Sequence, residues 1–143
     1  MDRAAPYLSA FGRLFLSSLF VWAGYEKLMD PGGTAQEFAA VGVPAPIVMA
    51  WVAIVIEFIG GLAVLVGLKA RWVAVLLAAW SVLTGFAVHL GTAMAASDPM
   101  AAIDNMIHFY KNLGLAGGFL YVIAFGAGAI SFDNGWVASR AAR

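Results

Sequence analysis

The sequence predicts an all-α membrane protein in which four transmembrane helices form one bundle. Of its 143 residues, 63% are hydrophobic and only 11% are charged, whereas about one quarter of the residues in a soluble domain are charged. A chain of this length leaves much of its surface outside its own core, so the apolar excess calls for a lipid bilayer as solvent. The formal net charge is zero, which gives no indication of nucleic-acid binding.

Four apolar runs provide the helices, because each has at least the roughly 20 residues needed to cross a hydrocarbon core. None of them alternates apolar and polar residues at every second position, so helices rather than strands satisfy the backbone hydrogen bonds inside the membrane. The four runs leave no room for a second domain. We expect one domain over residues 1–143, with helices at 7–29, 46–68, 72–95 and 105–132.

The basic residues predict how the bundle is oriented. Lys69 and Arg71 lie in the turn between the second and third runs, and Arg3, Arg140 and Arg143 lie near the chain termini. The opposite ends of the helices carry mostly acidic residues. Because cytoplasmic loops are enriched in Lys and Arg, we expect both termini and the Lys69–Arg71 turn in the cytoplasm.

The connection between the first two runs predicts a short helix on the membrane surface. Thr34 and Glu37 have the spacing of a capping box, in which two side chains satisfy each other's free backbone N–H groups. A helix over residues 34–41 would follow, and the Gly- and Pro-rich residues 42–46 would end it.

The composition also limits the chemistry. The chain has no cysteine, which excludes disulfides, thiol catalysis and thiolate metal sites within it. Charged residues rather than a small-x-small cleavage site follow the first apolar run, so we expect no cleavable signal peptide.

Polar side chains inside the predicted spans mark the candidate site, because ionisable residues are costly in a membrane and commonly functional there. On each helix they share a face with small residues, which allow helices to approach closely. If all four faces point inwards, Arg13, Lys27 and Lys111 surround Glu57 in a positively biased pocket that opens outwards. The ligand-binding candidates are Arg13, Lys27, Glu57, His89, His108, Lys111 and Asn112.

The fourth helix carries the strongest signal. His108, Lys111 and Asn112 occupy adjoining positions of one span, and a lipid-facing Lys or Asn would lack hydrogen-bond partners. Gly114 and Gly118 have the spacing of a membrane dimerisation motif. We interpret that spacing as internal packing beneath the polar residues.

Simpler explanations stay open for several candidates. Lys27 lies at a helix end, where a lysine can extend its ammonium group to the headgroup region, and this explains it as well as a binding role does. We expect Glu57 to pair with Arg13, with Lys111 as the alternative partner, and such a pair can simply fix helix register. Contact with headgroups explains His89 equally well. Counting about 1.5 Å per residue along each helix puts Glu57 close to the membrane midplane and His89 near the outer surface. We expect no metal site, because these depths separate Glu57 from His89 and a neighbouring lysine repels a cation.

An ordered set of short motifs covers essentially the whole chain. They are Arg13 with Phe15-Leu16, Gly24-Tyr25-Glu26-Lys27-Leu28, Gly42-Val43-Pro44, Glu57 followed by Gly60-Gly61, Gly67-Leu68, His89, Lys111-Asn112-Leu113 leading to Gly117-Gly118, and Ser131-Phe132-Asp133. This set resembles the DoxX family of small bacterial membrane proteins. The resemblance implies a four-helix protein of the bacterial inner membrane and a link to redox systems. Relatives include a membrane subunit of a thiosulfate:quinone oxidoreductase and a member of a membrane complex for oxidant defence.

The first functional hypothesis is that the pocket binds a quinone or a small anionic ligand, as in the membrane subunit of a quinone-linked oxidoreductase. Glu57 or His89 would then exchange a proton with the ligand. No haem or flavin motif is present, so the electrons would come from a bound molecule or from a redox partner protein. We assign no catalytic residue and expect no cofactor in the chain itself. The cofactor that this hypothesis implies is a bound quinone.

The second hypothesis is a non-catalytic membrane adaptor that recruits a partner enzyme, with a polar core that only specifies the bundle. A transporter is less favoured, because four helices without an internal repeat give little material for alternating access. A homo-oligomer would remove that objection, and the sequence leaves the oligomeric state open.

Overall fold

The computed structural model describes residues 4–135. The main helices within that range are α1 (Ala5–Met29), α2 (Pro31–Ala40), α3 (Pro46–Val66), α4 (Ala70–Ala95) and α5 (Pro99–Phe125). The first three predicted membrane helices agree with α1, α3 and α4 to within two residues at each end. Arg3, Arg140 and Arg143, which supported the orientation, lie outside the described residues.

The predicted bounds of the fourth membrane helix are wrong at both ends, because capping rather than hydropathy sets them. Asp98 accepts hydrogen bonds from the backbone N–H groups of Met100 and Ala101, both at 3.2 Å, and Pro99 suits the first turn. The helix therefore starts before residue 105. It ends at Phe125 because Gly126 has a φ of +81°, which favours glycine and breaks the helix.

The short helix of the first connection is present, but its predicted cap is wrong. Asp30 accepts a hydrogen bond from the Gly33 N–H at 2.8 Å and is the N-cap. Thr34 lies inside α2, where its hydroxyl donates to the Asp30 carbonyl at 3.0 Å. The Thr34–Glu37 capping box therefore does not form. The placement of α2 on a membrane surface stays a prediction.

The four long helices run alternately in opposite directions and pack in chain order. α1 lies against α3, α3 against α4, and α4 against α5, while α2 covers the start of α3. α1 meets α5 over a smaller area, where Phe20 and Phe119 pack edge to face at 5.4 Å and Leu16 lies beside Gly118. We call the end that carries α2 the α2 end, and the end that carries the Lys69–Arg71 turn the turn end.

The helix faces that combine polar and small residues mostly point inwards, as predicted. The buried residues on these faces of α1 and α3 are Arg13, Ser17, Phe20, Gly24, Glu57, Gly60, Gly61 and Val64. On α5 the buried face is instead Phe109, Asn112, Ala116, Phe119 and Val122. His108 and Lys111 are half-buried at its margin. A Cβ added at Gly118 would contact Leu16, whereas one added at Gly114 or Gly117 would meet nothing within 4 Å, so only one of the three glycines allows close packing.

The outer surface of the bundle is apolar. α3 and α4 are long and apolar enough to cross a membrane by length and composition. Large apolar side chains on the other helices also point outwards, such as Phe15 with 72% and Leu120 with 61% of their surface exposed. Soluble monomers rarely expose so much contiguous apolar surface, so this exterior suits lipid.

Candidate functional site

Seven polar side chains from four helices meet in the half of the bundle nearer the α2 end. We call them the polar cluster: Lys27 of α1, Glu57 of α3, Trp80 and His89 of α4, and Asn105, His108 and Lys111 of α5. Five of the seven predicted site residues are among them. Of the other two, Arg13 lies elsewhere, and Asn112 is buried against Gly85 of α4.

The first part of the polar cluster is built around a buried carboxylate. Glu57 is only 8% exposed. Its Oε2 pairs with the Lys27 Nζ at 2.8 Å, and its Oε1 accepts a hydrogen bond from the Trp80 Nε1–H at 3.0 Å. Both carboxylate oxygens are therefore engaged, which compensates for the loss of water around a buried charge.

The direction in which helical side chains lean explains this pairing. The Cα–Cβ bond tilts towards the N-terminus of its helix. Because α1 and α3 run in opposite directions, Lys27 and Glu57 lean towards each other. The Lys27 ammonium also donates to the Ala23 carbonyl at 3.4 Å, one turn back along α1. Lys27 thus points into the bundle instead of extending to the headgroups.

The same rule directs Arg13 away from Glu57, so the expected Arg13–Glu57 pair is wrong. Arg13 is 4% exposed and leans towards the turn end. Its guanidinium donates to the Ala127 carbonyl through Nη1 and to the Ile130 carbonyl through Nη2 at 2.5 Å. Arg13 therefore anchors the chain that follows α5.

We call residues 126–135 the C-terminal segment; it closes the turn end of the bundle. Ser9 donates to the Ala127 carbonyl at 3.1 Å. Asp133 accepts hydrogen bonds from the backbone N–H groups of Lys69 at 2.7 Å and Ala70 at 2.9 Å, so its carboxylate caps the start of α4. The contacts of Arg13 and Asp133 tie this segment to α1 and α4 and indicate a structural role.

The second part of the polar cluster is centred on the two histidines. His89 and His108 stack with ring centroids 5.0 Å apart and planes at 17°. The Lys111 Nζ lies 2.6 Å from the His108 Nδ1. Because an ammonium group only donates hydrogen bonds, this contact implies that His108 is neutral with its proton on Nε2. That nitrogen lies 3.7 Å from the exposed Asp104 carboxylate.

The remaining contact of this part holds His89. The His89 Nδ1 lies 3.4 Å from the Asn105 Oδ1, which implies that Nδ1 carries a proton and donates it. The two parts of the polar cluster are electrostatically linked, since Lys111 lies within Coulombic range of both Lys27 and Glu57. Across residues 4–135, no three His, Asp or Glu side chains are grouped as metal ligands.

Both central helices change geometry at the polar cluster. α3 contains a π-helical segment at Val55–Ile59, and α4 contains one at Gly85–Leu90. Glu57 lies in the first and His89 in the second. π-helical turns are rare in proteins overall, but those that occur are frequently at functional sites, because they re-aim side chains within a continuous helix. No pattern in the sequence predicted them.

Sequence reasoning also missed Trp80 and Asn105. A usable signal existed for Trp80, because it lies inside the third apolar run whereas most other tryptophans lie near predicted membrane interfaces. An indole N–H far from water needs an acceptor, and Glu57 is the nearby acidic residue. Asn105 carried no such signal, since it lies at a predicted helix end where polar residues are ordinary.

Among the surface cavities of residues 4–135, two lie outside the polar cluster. One of about 420 Å³ lies between α1 and α3 and is lined mainly by apolar side chains, including Trp22, Tyr25 and Phe58. The other, of about 460 Å³, lies between α4 and α5 beside Ala78, Val82 and Leu120. Neither is lined by the predicted site residues, so the outward-opening polar pocket stays a prediction.

Comparisons with known proteins agree with the resemblance in the sequence motifs. The sequence profile of the DoxX family matches residues 8–90. Inner membrane protein YphA of Escherichia coli (strain K12) is 34% identical over 131 residues, which cover 92% of this chain and 91% of that protein. Inner membrane protein YqjF of the same organism is 37% identical over 122 residues, covering 85% and 86%.

A third relative, an uncharacterized protein of Haemophilus influenzae, is 30% identical over 135 residues, which cover 94% of each chain. No solved structure matches this chain. The three matches cover 86% to 94% of the relatives.

Proposed function

The chain belongs to the DoxX family of membrane proteins, and from that premise we propose that it is a four-helix protein of the bacterial inner membrane that binds a quinone or a small anionic ligand. In this proposal α1, α3, α4 and α5 cross the membrane. Both termini and the Lys69–Arg71 turn face the cytoplasm, and the polar cluster lies towards the outer side. The protein serves as the membrane component of a redox system together with a redox partner protein.

The observation that carries this proposal is the ion pair of Glu57 with Lys27 beside the apolar core of the bundle. Ionisable side chains within membrane helices are costly and mark ligand or proton pathways. The position of Glu57 on a π-helical segment supports the same interpretation. Lys111 adds a second ammonium group close by.

The chemistry of the polar cluster suits a ligand with oxygen acceptors. The ammonium groups of Lys27 and Lys111 can donate hydrogen bonds to a quinone carbonyl or to an anionic oxygen. A bound quinone would supply the electron-accepting carbonyl groups. Glu57 and His89 are the side chains placed to hold or move a proton near such a ligand.

Purification followed by extraction tests this function. We expect a quinone or a small anion to co-purify with the wild-type protein in mild detergent and to be identified by mass spectrometry. Glu57→Gln and Lys111→Met should lose it. Lys69→Asn is the matched control, because it removes an exposed cation at the turn end and asparagine tolerates the left-handed backbone there. Absence of any such molecule from the folded wild-type protein would refute the proposal.

A membrane adaptor is the second candidate, and one observation favours it. Both oxygens of Glu57 already have partners within the chain, so the polar cluster can serve only to fix how the helices align with one another. The adaptor function predicts that folded Glu57→Gln and Lys111→Met variants keep the cellular phenotype and still capture the partner enzyme. Loss of the phenotype in a stably folded variant would exclude it.

A further inference from the structure

We propose that the polar cluster selects a ligand that carries a single negative charge on oxygen, held between the ammonium groups of Lys27 and Lys111. This inference rests on the proposed function and narrows its ligand class, because it excludes a neutral quinone as the molecule between the two lysines. It follows from the charges, the hydrogen bonds and the exposure of the groups described above.

The charge balance of the polar cluster is the first step. Lys27 and Lys111 bring two positive charges, and Glu57 brings one negative charge. His108 is neutral in this arrangement, because its Nδ1 accepts from Lys111. Asp104 is exposed beside His108, where water and salt screen its charge. Burial disfavours a charge on half-buried His89, so it counts as neutral. The interior therefore keeps one positive charge in excess, which a monovalent anion neutralises.

The hydrogen bonds show that Glu57 is not a hydrogen-bond acceptor for Lys111. Its Oε2 pairs with Lys27 and its Oε1 accepts from Trp80. Within the described part of the chain, Lys111 donates to the neutral His108 ring alone. An ammonium group has three N–H donors, so Lys111 has capacity for an anionic acceptor.

The excess positive charge is costly because of where Lys111 lies. Lys111 is half-buried in a bundle whose exterior is apolar, and an uncompensated charge in such surroundings is costly. Charge-assisted hydrogen bonds to oxygen are the strongest way to compensate for it. The path of an anion from the surface to Lys111 is short, because Lys111 lies about 10 Å along α5 from the exposed Asp104, at about 1.5 Å per residue.

Two sources can supply this chemistry. One is a free carboxylate from the aqueous side, and the other is the anionic oxygen of an amphiphile that enters from the bilayer. Acetate and octanoate represent the two sources as probes. Binding of acetate supports the first source, binding of octanoate alone supports the second, and binding of neither overturns the inference.

The experiment is calorimetric titration of the full chain in detergent with acetate, octanoate and sulfate, in a low-chloride buffer at matched ionic strength. We expect saturable binding of a monovalent carboxylate and binding of divalent sulfate that is about tenfold weaker or more. Lys111→Gln should weaken carboxylate binding by about tenfold, the loss of one charge-assisted hydrogen bond. Lys69→Asn is the control and should leave the affinity unchanged.

A charge-neutralising variant provides the sharper test. Glu57→Gln leaves the polar cluster with two uncompensated positive charges, so its preference should reverse from the monovalent carboxylate to sulfate. If Glu57→Gln does not fold, Lys111→Arg should keep the carboxylate affinity that Lys111→Gln weakens by about tenfold. Equal binding of sulfate and carboxylate by the wild-type protein would overturn the inference. Retention of a co-purified neutral quinone without carboxylate binding would overturn it as well, while leaving the proposed function intact.

Discussion

Arg13 and Lys27 lie on the same face of α1, yet they do different things at the two ends of the bundle. Arg13 donates to two backbone carbonyls of the C-terminal segment. Lys27 pairs with a side-chain carboxylate. A carbonyl cannot change its charge, whereas a carboxylate can take up a proton. The comparison therefore separates a structural anchor at the turn end from the proposed ligand site at the α2 end.

Backbone geometry sharpens the same contrast. The partner of Lys27 lies in a π-helical segment of α3, while Arg13 contacts an irregular segment that begins after Gly126. A π-helical turn that re-aims one side chain, here Glu57, is typical of a functional site. A loop that Arg13 anchors, and whose Asp133 caps the start of α4, points to closure of the fold.

The largest effect should come from breaking the anchor. Arg13→Met would leave the Ala127 and Ile130 carbonyls without their charged donor, so we expect a loss of about 3 kcal/mol of unfolding free energy. Denaturation in detergent measures it. Ligand retention by the fraction that still folds should stay normal. Loss of the ligand from folded Arg13→Met would show that the two ends are not independent.

The second test breaks the ion pair at the α2 end. Glu57→Gln leaves Lys27 half-buried without its counter-charge and should cost about 2 kcal/mol. The double variant Lys27→Met/Glu57→Gln should recover about 1 kcal/mol of that loss, because no unpaired charge remains. A double-mutant cycle of unfolding free energies gives the coupling. Strict additivity would mean that the pair contributes nothing.

The third test addresses the close contact between α1 and α3 that lies on the face between the two cations. A Cβ at Gly24 would sit 2.7 Å from the Cα of Phe58 in the π-helical segment, and backbone cannot move aside as a side chain does. Gly24→Ala should therefore cost about 1 to 2 kcal/mol.

Gly114→Ala is the matched control for this substitution. A Cβ there meets nothing within 4 Å, so alanine should be neutral or stabilise α5 by up to about 1 kcal/mol. Thermal unfolding of the two variants side by side measures the difference, and equal midpoints would contradict the packing of α1 on α3 described above.

The smallest effect should come from the indole donor. Trp80→Phe keeps an aromatic ring but removes the hydrogen bond to Glu57, for an expected loss of about 1 kcal/mol. Trp72 is 79% exposed, so Trp72→Phe should change the unfolding free energy by less. If the two variants behave alike in denaturation, the Trp80–Glu57 hydrogen bond does not contribute to stability.

The sequence predicted most of the helices and their buried faces, because both depend on local pattern. Arg13, Ser17, Phe20 and Gly24 recur at helical spacing, and all four are buried. Helix ends were predicted less well. Asp30 and Asp98 decide where α2 and α5 begin through their caps, and several polar residues near each boundary competed for that role.

The choice of partners within the site could not be predicted. Depth estimates from residue number placed Arg13 within reach of Glu57, but they ignored the lean of side chains towards the helix N-terminus. That lean brings Lys27 to Glu57 and sends Arg13 to the C-terminal segment. It could have been applied to the sequence, because the alternating directions of the helices were already predicted.

The sequence by itself determined that this chain is helical, apolar on its outside and polar at a few inward positions, since composition and periodicity act over neighbouring residues. Only the tertiary structure decided which charges meet, where α3 and α4 become π-helical, and how Trp80 and the two histidines complete the polar cluster. Those features depend on contacts between helices that are distant in sequence. A side chain satisfies its hydrogen bonds with whichever group the packing of the bundle brings within about 3 Å.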